Sequence, residues 1–231
     1  YWLRKLGGEA PPLQLPYDHR RPARLSYRSR IKTVELSHED TVRLRELAAA
    51  RRCSLFNTLL TFVLLVLRRV TGNEDIRIGT PVIGRPHAEL RDQIGCHINL
   101  IVLRNRLEDT MSLAALMLAV QAATTEAFEH QLYPFERLAS ELAERRAPNR
   151  NPLFDVLVAL QDDRHQLNEL SELGLSPYPI RTDVGRYDLT CGFEDLDYRI
   201  RLHIEYLDEL FTEATVERIG ALFVELVRSG L

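Results

Sequence analysis

Helical and strand-like spacings of hydrophobic residues alternate along the chain. Residues 37–50 carry apolar side chains at helical spacing behind Ser37, an N-cap residue followed by acidic residues. Residues 55–70 follow a second cap, Ser54, and are apolar nearly all round, which predicts a buried helix. Further helices are predicted at residues 1–6, at 112–130, at 135–143 behind Pro134 and after the cap Thr212.

Strand patterns lie between these helices. Strict alternation over residues 198–206 predicts a half-buried antiparallel strand, with residues 187–193 as its partner and residues 194–197 as the turn. Shorter apolar runs predict strands at residues 31–36, 76–78, 98–103 and 153–161. The interleaved order favours a layered α/β or α+β sandwich, with a mixed sheet packed by helices, over a regular doubly wound sheet.

Three stretches are irregular. Residues 9–24 contain four prolines and predict an extended surface segment, and residues 162–185 are polar and predict a mobile excursion. The chain opens inside an amphipathic helix at Tyr1, without an initiator Met or a cap. We therefore expect more polypeptide before it.

Composition narrows the class of protein. The 231 residues are 45% hydrophobic with a formal net charge of -3, which is typical of a globular protein and gives no reason to expect nucleic acid or a membrane as partner. The longest apolar run, residues 59–67, is shorter than the ~20 residues that span a bilayer. A basic run between residues 20 and 30 is interpreted as solvated surface. Without a signal peptide, a cytoplasmic location is expected.

The sequence contains few candidate catalytic or ligand-binding residues. The three cysteines lack C-x-x-C spacing, so no metal site is expected and each is predicted to be a small buried residue. The glycine and proline loop at residues 78–86 matches no phosphate-binding pattern. Its Arg85 could pair with a carboxylate, for which Asp188 is one candidate, although Asp188 could equally be a turn or strand-start carboxylate. His203 is expected on an exposed polar face, and residues 194–195 in a solvated turn.

Five segments in a fixed order carry a resemblance. Residues 1–18 resemble the stretch joining the two lobes of condensation domains of nonribosomal peptide synthetases. Residues 78–99 resemble that family's G-x-P-x-x-G-R and I-G-x-x-x-N motif. Residues 131–137, 150–155 and 186–190 resemble its Y/V-P-F-E-x-L, R-N-P-L-F and F/Y-D-L-T motifs.

The resemblance implies a two-lobed fold similar to chloramphenicol acetyltransferase, with a tunnel between the lobes. Donor and acceptor carrier proteins would each bring a thioester on a phosphopantetheine arm, no cofactor would bind directly, and an adenylation domain would be a neighbour. The family's HHxxxDG motif belongs to the first lobe, and this sequence has no His-His pair. The chain therefore resembles the C-terminal lobe alone, with residues 1–24 as connector and lobe start and residues 25–231 as the lobe.

The family's roles carry over only to matching residues, and none of these is catalytic. Arg85 would pair with the Asp of the absent HHxxxDG motif, while Pro81 and Gly84 would shape the tunnel floor. Asn99 and Gln161 would line the tunnel, and Arg186 and Asp188 would be structural. Two alternatives remain: an epimerisation-domain lobe, which the sequence Gly84-Arg85-Pro86 disfavours, and a non-catalytic member that recruits a partner enzyme.

Overall fold

A computed structural model of the chain describes residues 1–8, 12–85, 87–90, 92–142, 149–161, 183–196 and 198–231. The helices in these ranges are α1 (Trp2–Leu6), α2 (His38–Ala50), α3 (Leu55–Thr71), α4 (Leu113–Glu129), α5 (Phe135–Leu142) and α6 (Glu213–Gly230). The strands are β1 (Ser29–Glu35), β2 (Asp75–Val82), β3 (Asn99–Arg106), β4 (Val156–Gln161), β5 (Leu189–Leu196) and β6 (Arg199–Leu207). A short 3-10 turn spans Ala88–Leu90.

The strands form one mixed sheet in the order β1-β6-β5-β4-β2-β3. Strand β4 is parallel to both of its neighbours, β2 and β5, whereas the other pairs are antiparallel. Strands β2, β4 and β5 therefore end at one edge of the sheet, here called the carboxyl edge, and begin at the opposite amino edge. The predicted mixed sheet packed by helices is confirmed.

Local capping explains where the helices begin. Ser37, Ser54 and Thr212, the predicted N-caps, each accept a hydrogen bond from the backbone N–H three residues later. These bonds satisfy amide groups that the first helical turn leaves without partners. Helix α3 is buried along most of its length, as its uniformly apolar pattern predicts, and it ends at Gly72 in the left-handed conformation.

Four helices, α2, α3, α4 and α6, cover one face of the sheet. The close approach of α6 requires Gly220, since a Cβ there would lie 2.6 Å from a Val34 methyl carbon. The other face is covered near β2 by α1 and by Phe154, whose ring occupies the space that a side chain at Gly79 would need. Along β6 this second face is polar: Arg201 bonds Glu35, and His203 contacts both Thr33 and Glu194. The predicted alternation of β6 is confirmed.

The β5–β6 hairpin corrects one prediction. Strand β5 continues through Glu194, Asp195 and Leu196, so these residues do not form the predicted turn. Because strand positions alternate, Asp195 points to the same face as Phe193, where it is buried and paired with Arg45 of α2. The expected solvated pair of carboxylates at residues 194–195 is therefore wrong. Most of the excursion expected at residues 162–185 falls outside the described residues.

The segment before β1 is more deeply buried than predicted. Leu13 and Leu15 are buried in the same hydrophobic cluster as Trp2 and Leu6 of α1. The carbonyl groups at the end of α1 accept hydrogen bonds from two arginines of the sheet: Arg77 reaches Leu6 and Arg104 reaches Lys5 and Gly7. The described residues 1–8 and 12–24 thus contribute side chains to the core of the rest of the chain.

Cysteine placement is mixed. Cys53 and Cys191 are buried as predicted, and burial raises the pKa of the Cys191 thiol to about 12. Cys96 is exposed, so the prediction is wrong for that residue. Within the described ranges no cluster of three or more His, Cys, Asp or Glu side chains could hold a metal ion.

Among the same residues, no single helix has both the length and the apolar composition to cross a membrane. Helices α2 and α3 meet that test only as a pair, bent by 108°.

Candidate functional site at the carboxyl edge of the sheet

The loop between β2 and β3 leaves and re-enters the sheet at the carboxyl edge. Gly84 lies near its start with φ of 67°, a conformation that residues with a Cβ rarely adopt. A Cβ at Gly84 would also lie 1.8 Å from the His97 carbonyl oxygen, near the end of the loop. Both ends of the loop therefore cross at a point where only glycine fits.

Arg85 holds this loop together. Its guanidinium donates hydrogen bonds to the Leu90 carbonyl and, at 3.1 Å, to the Gly95 carbonyl. The preceding Pro81 is exposed in the last part of β2, beyond Gly79, where β2 pairs with β4. In the antiparallel pair with β3, Pro81 stands opposite Leu100. Strand β2 consequently runs further than the predicted residues 76–78.

Asn99 begins β3 beside this crossing. Its side-chain nitrogen donates to the carbonyl oxygens of Gln131 at 2.7 Å and Tyr133 at 2.8 Å, and its side-chain oxygen accepts from the Phe135 N–H at 3.1 Å. The carboxamide thus caps the first turn of α5 from outside the helix. Asn99 connects the predicted I-G-x-x-x-N motif to the predicted Y/V-P-F-E-x-L motif.

Gln161 completes the carboxyl edge. It is the last residue of β4, is exposed, and stands opposite Glu194 of β5. Gly84, Arg85, Asn99 and Gln161, which lie far apart in sequence, are therefore gathered at one edge of the sheet. The Arg85 guanidinium and the exposed Gln161 carboxamide there can orient a polar group by hydrogen bonds.

Asp188 lies at the amino edge, so the interpretation of Asp188 as a partner of Arg85 is wrong. Its carboxylate accepts a hydrogen bond from the Tyr17 hydroxyl at 2.6 Å and pairs with Arg21, which also donates to that hydroxyl at 3.1 Å. The alternative interpretation, a strand-start carboxylate, agrees with its position immediately before β5. Burial, followed by the charge of Asp188, raises the pKa of the Tyr17 hydroxyl well above its usual range.

A second carboxylate extends this amino-edge cluster. Asp155 precedes β4, is buried, and pairs with Arg150 at 3.4 Å. Its backbone carbonyl accepts from the Asp188 N–H at 3.1 Å, which joins the predicted R-N-P-L-F and F/Y-D-L-T motifs. Arg186 is exposed, and its carbonyl accepts from Asn151 at 3.1 Å.

Sequence reasoning misses Tyr17 and Arg21 as members of this cluster, because the sequence places Arg21 in an apparently solvated basic run. Its side chain is only 12% exposed. Tyr17 precedes it by four residues, and the Arg21 guanidinium lies 5.2 Å from the centroid of the Tyr17 ring. The cluster fastens Tyr17 and Arg21, which precede β1, to the start of β5.

Comparison with protein families identifies the family to which this chain belongs. A family model described as the condensation domain matches residues 1–229. The chain belongs to the condensation domain family. Tyrocidine synthase 3 of Brevibacillus parabrevis is 34% identical over 229 residues, which are 99% of this chain and 4% of that protein. Bacitracin synthase 3 of Bacillus licheniformis is 31% identical over 100% of this chain and 4% of that protein. This chain therefore spans under a tenth of these relatives.

Solved structures show the same fold. The chain superposes with a TM-score of 0.88 on holo-AB3403, a four-domain nonribosomal peptide synthetase bound to AMP and glycine, at 22% identity, covering 98% of this chain and 19% of that one. The X-domain in its complex with OxyB from teicoplanin biosynthesis gives a TM-score of 0.86 at 20% identity, covering 99% of this chain and 51% of that one. At these identities the likeness establishes the fold alone.

Proposed function

We propose that this chain is the C-terminal lobe of a nonribosomal peptide synthetase condensation domain. The whole domain would join an acyl donor to an aminoacyl acceptor, each carried on the phosphopantetheine arm of a carrier protein, beside an adenylation domain. The observation that carries this proposal is the extent of the matches. The family model covers residues 1–229, yet the chain covers only 56% of a condensation domain from the Monacolin K polyketide synthase MokA, at a TM-score of 0.81.

The carboxyl edge supports a role in positioning. Arg85 is fixed through the Leu90 and Gly95 carbonyls, so its guanidinium is already oriented. Arginine carries five N–H donors, and one guanidinium can therefore hold its own loop and also meet a carboxylate. In the proposed domain that carboxylate is the Asp of HHxxxDG in the preceding lobe. Tethered reactants gain much of their rate from such positioning.

The imidazole that handles the acceptor amine would come from HHxxxDG, which this sequence does not contain. We therefore expect the 231-residue chain to form no peptide bond from carrier-bound substrates. A polypeptide that also contains the preceding lobe should form dipeptide under the same conditions. Dipeptide formation by the 231-residue chain itself would contradict the proposal that the preceding lobe supplies the catalytic imidazole.

Arg85 provides the sharper experiment within the two-lobe polypeptide. Arg85→Ala should reduce dipeptide formation at least about a hundredfold, because a buried carboxylate left without its partner costs roughly 3 kcal/mol or more. Arg43→Ala is the matched control, since Arg43 is exposed on α2 and belongs to none of the matched segments. It should leave turnover within about twofold. Equal effects of the two substitutions would refute the role of Arg85.

A second candidate is a non-catalytic lobe that recruits a partner enzyme. The likeness to the X-domain that forms a complex with OxyB favours it, at a TM-score of 0.86. The two candidates differ in the preceding lobe. Dipeptide formation by the two-lobe polypeptide supports condensation, whereas an altered HHxxxDG motif without turnover supports recruitment.

A further inference from the structure

Four exposed arginines surround the loop that follows β6 at the amino edge of the sheet. They are here called the arginine surface and comprise Arg24, Arg28, Arg30 and Arg186. Asp208, in the loop, accepts hydrogen bonds from the Nε atoms of Arg28 at 2.8 Å and Arg30 at 3.3 Å. These two arginine side chains remain 68% and 67% exposed. Asp208 therefore orients two guanidinium groups whose Nη atoms can still donate to another anion.

Two exposed apolar side chains lie within this surface. Val184 is 65% exposed and bridges Arg28 in an antiparallel pair. Tyr27 is 45% exposed, and its carbonyl accepts a hydrogen bond from the Gly185 N–H at 2.8 Å, next to Arg186. Tyrosine and arginine are the residue types that most often dominate binding between proteins. Their combination here indicates a contact surface for a protein partner.

The backbone at Tyr27 is strained. Its φ is 60°, in the left-handed region that a bulky side chain rarely adopts. The Glu209 carboxylate accepts a hydrogen bond from the Tyr27 N–H at 3.2 Å, and Gly185 bonds the Tyr27 carbonyl, so the residue is held from both sides. Strain of this kind collects at binding and switch sites. The chain thus keeps the Tyr27 ring at the surface at a cost to its stability.

The charge of the arginine surface favours an acidic partner. In residues 12–30 and 183–187, all within the described ranges, Asp183 is the only exposed acidic residue. The surface is therefore positive, although the chain as a whole has a formal net charge of -3. Positive charge attracts carboxylates, and the exposed Tyr27 and Val184 favour an apolar side chain among them. A nucleic acid would gain nothing from Val184 and would be repelled by Asp183.

We propose that the arginine surface, with Tyr27 and Val184, binds an acidic segment of a partner protein that carries apolar side chains among its carboxylates. The carboxylates pair with the guanidinium groups, and the apolar side chains pack against Tyr27 and Val184. The inference rests on these side chains and is independent of the proposed function.

The peptide acetyl-EELFEE-amide is the probe. Two matched peptides change one property each: acetyl-EESSEE-amide lacks the apolar side chains, and acetyl-KKLFKK-amide reverses the charge. Each is titrated into the isotope-labelled chain while the backbone amide resonances of Tyr27 and Val184 are followed. The probe should shift both resonances saturably, whereas acetyl-KKLFKK-amide should not. Acetyl-EESSEE-amide should bind at least about fivefold more weakly than the probe, as expected for the loss of an apolar anchor.

Salt provides a second test of the charge. Raising the salt concentration from about 0.01 M to about 0.1 M shortens the Debye length from roughly 30 Å to roughly 10 Å. Binding of the probe should therefore weaken over this range.

Substitutions separate the charge from the tyrosine ring. Arg24→Glu should weaken binding of the probe at least about fivefold, because it places like charges opposite each other. Arg43→Glu makes the same change in net charge on an exposed residue of α2 and should change the affinity less than about twofold. Tyr27→Ala and Tyr27→Gly should each weaken binding at least about fivefold. Tyr27→Gly should unfold at a higher temperature than Tyr27→Ala, because glycine adopts a φ of 60° without strain, so it serves if Tyr27→Ala fails to fold.

Five results would overturn the proposal. The first is the absence of a saturable shift of the Tyr27 and Val184 resonances by the probe. The second is equal affinity for the probe and acetyl-EESSEE-amide. The third is a thymidine oligonucleotide of equal charge that binds more tightly than the probe, which would indicate a nucleic-acid surface. The fourth is an equal loss of affinity in Arg24→Glu and Arg43→Glu. The fifth is an unchanged affinity in Tyr27→Gly, or an unfolding temperature of this variant no higher than that of Tyr27→Ala.

Discussion

Replacing Gly84 by alanine tests whether the crossing of the β2–β3 loop depends on a missing side chain. Two penalties add at this position. The backbone has φ of 67°, which costs a residue with a Cβ about 1–2 kcal/mol. The new Cβ would also lie 1.8 Å from the His97 carbonyl oxygen, whereas real Cβ atoms essentially never come within 3.0 Å of another heavy atom. The loop end must therefore move by about 1.2 Å (3.0 minus 1.8 Å).

Gly72 separates the two penalties. It has φ of 72°, and a Cβ there would meet nothing within 4 Å. Gly72→Ala should therefore lower the free energy of unfolding by about 1–2 kcal/mol through the backbone alone. Gly84→Ala should cost the same amount plus about 1–3 kcal/mol of overpacking, unless the loop gives way.

Urea denaturation of both variants measures the free energies, and amide resonances of His97 and Asn99 report on the loop. We expect either the larger destabilisation or a displaced loop, seen as shifted resonances and faster proteolysis between residues 85 and 95. A Gly84→Ala variant that loses no more stability than Gly72→Ala and leaves both resonances unshifted would refute the reasoning.

Three further substitutions address the edges of the sheet. Asn99→Ala removes three hydrogen bonds and should lower the free energy of unfolding by about 2–3 kcal/mol, measured in urea. Asp188→Asn leaves the Arg21 charge buried without its counter-ion and should cost about 3 kcal/mol in thermal unfolding. Hydrogen bonds from Arg104 hold the pKa of Asp75 below its usual range. Asp75 therefore stabilises the fold above its unfolded-state pKa, and Asp75→Asn should cost about 1 kcal/mol at pH 7 but progressively less below about pH 4.

Matched controls accompany two of the three, Asn99→Ala and Asp75→Asn. Asn73→Ala removes one exposed hydrogen bond, at 3.2 Å from the Gln14 N–H, and should cost less than about 1 kcal/mol. Asp109→Asn removes an exposed surface pair with Arg68 and should show little pH-dependent effect. The reasoning fails if Asn73→Ala equals Asn99→Ala, if Asp188→Asn is neutral, or if the Asp75→Asn difference is the same at pH 3 and pH 7.

Much of the fold follows from patterns that act over a single helical turn or strand. Ser37, Ser54 and Thr212 cap helices because an N-cap bond spans only three residues. The predicted limits of β5 are wrong because Asp195 is charged, and charge usually indicates a turn. Its partner, Arg45, lies 150 residues away and becomes visible only in three dimensions.

The candidate site likewise contains residues that the sequence predicts and contacts that it does not. The glycine at position 84 and the arginine at 85 belong to a local motif, and the structure shows why the glycine is needed. The Asn99 carboxamide bonds backbone groups of Gln131, Tyr133 and Phe135. These partners are not predictable, because nearly every residue type carries the same backbone groups. The burial of Arg21 escapes prediction because solvation and burial of a long basic side chain look alike in a sequence.

If the proposed two-lobe domain is correct, the amino-edge cluster has a consequence for recombining parts of synthetases. The connector is tied to β5 through Asp188, and α1 is tied to β2 and β3 through Arg77 and Arg104. A chimera joined between residues 24 and 25 would take residues 1–24 from another protein. Asp188, Arg77 and Arg104 would then lose the hydrogen-bond partners that residues 1–24 of this chain provide. A junction upstream of Tyr1 would transfer Asp188 together with Arg21 and Tyr17. We therefore expect an exchanged lobe to fold better when its own α1 is kept attached.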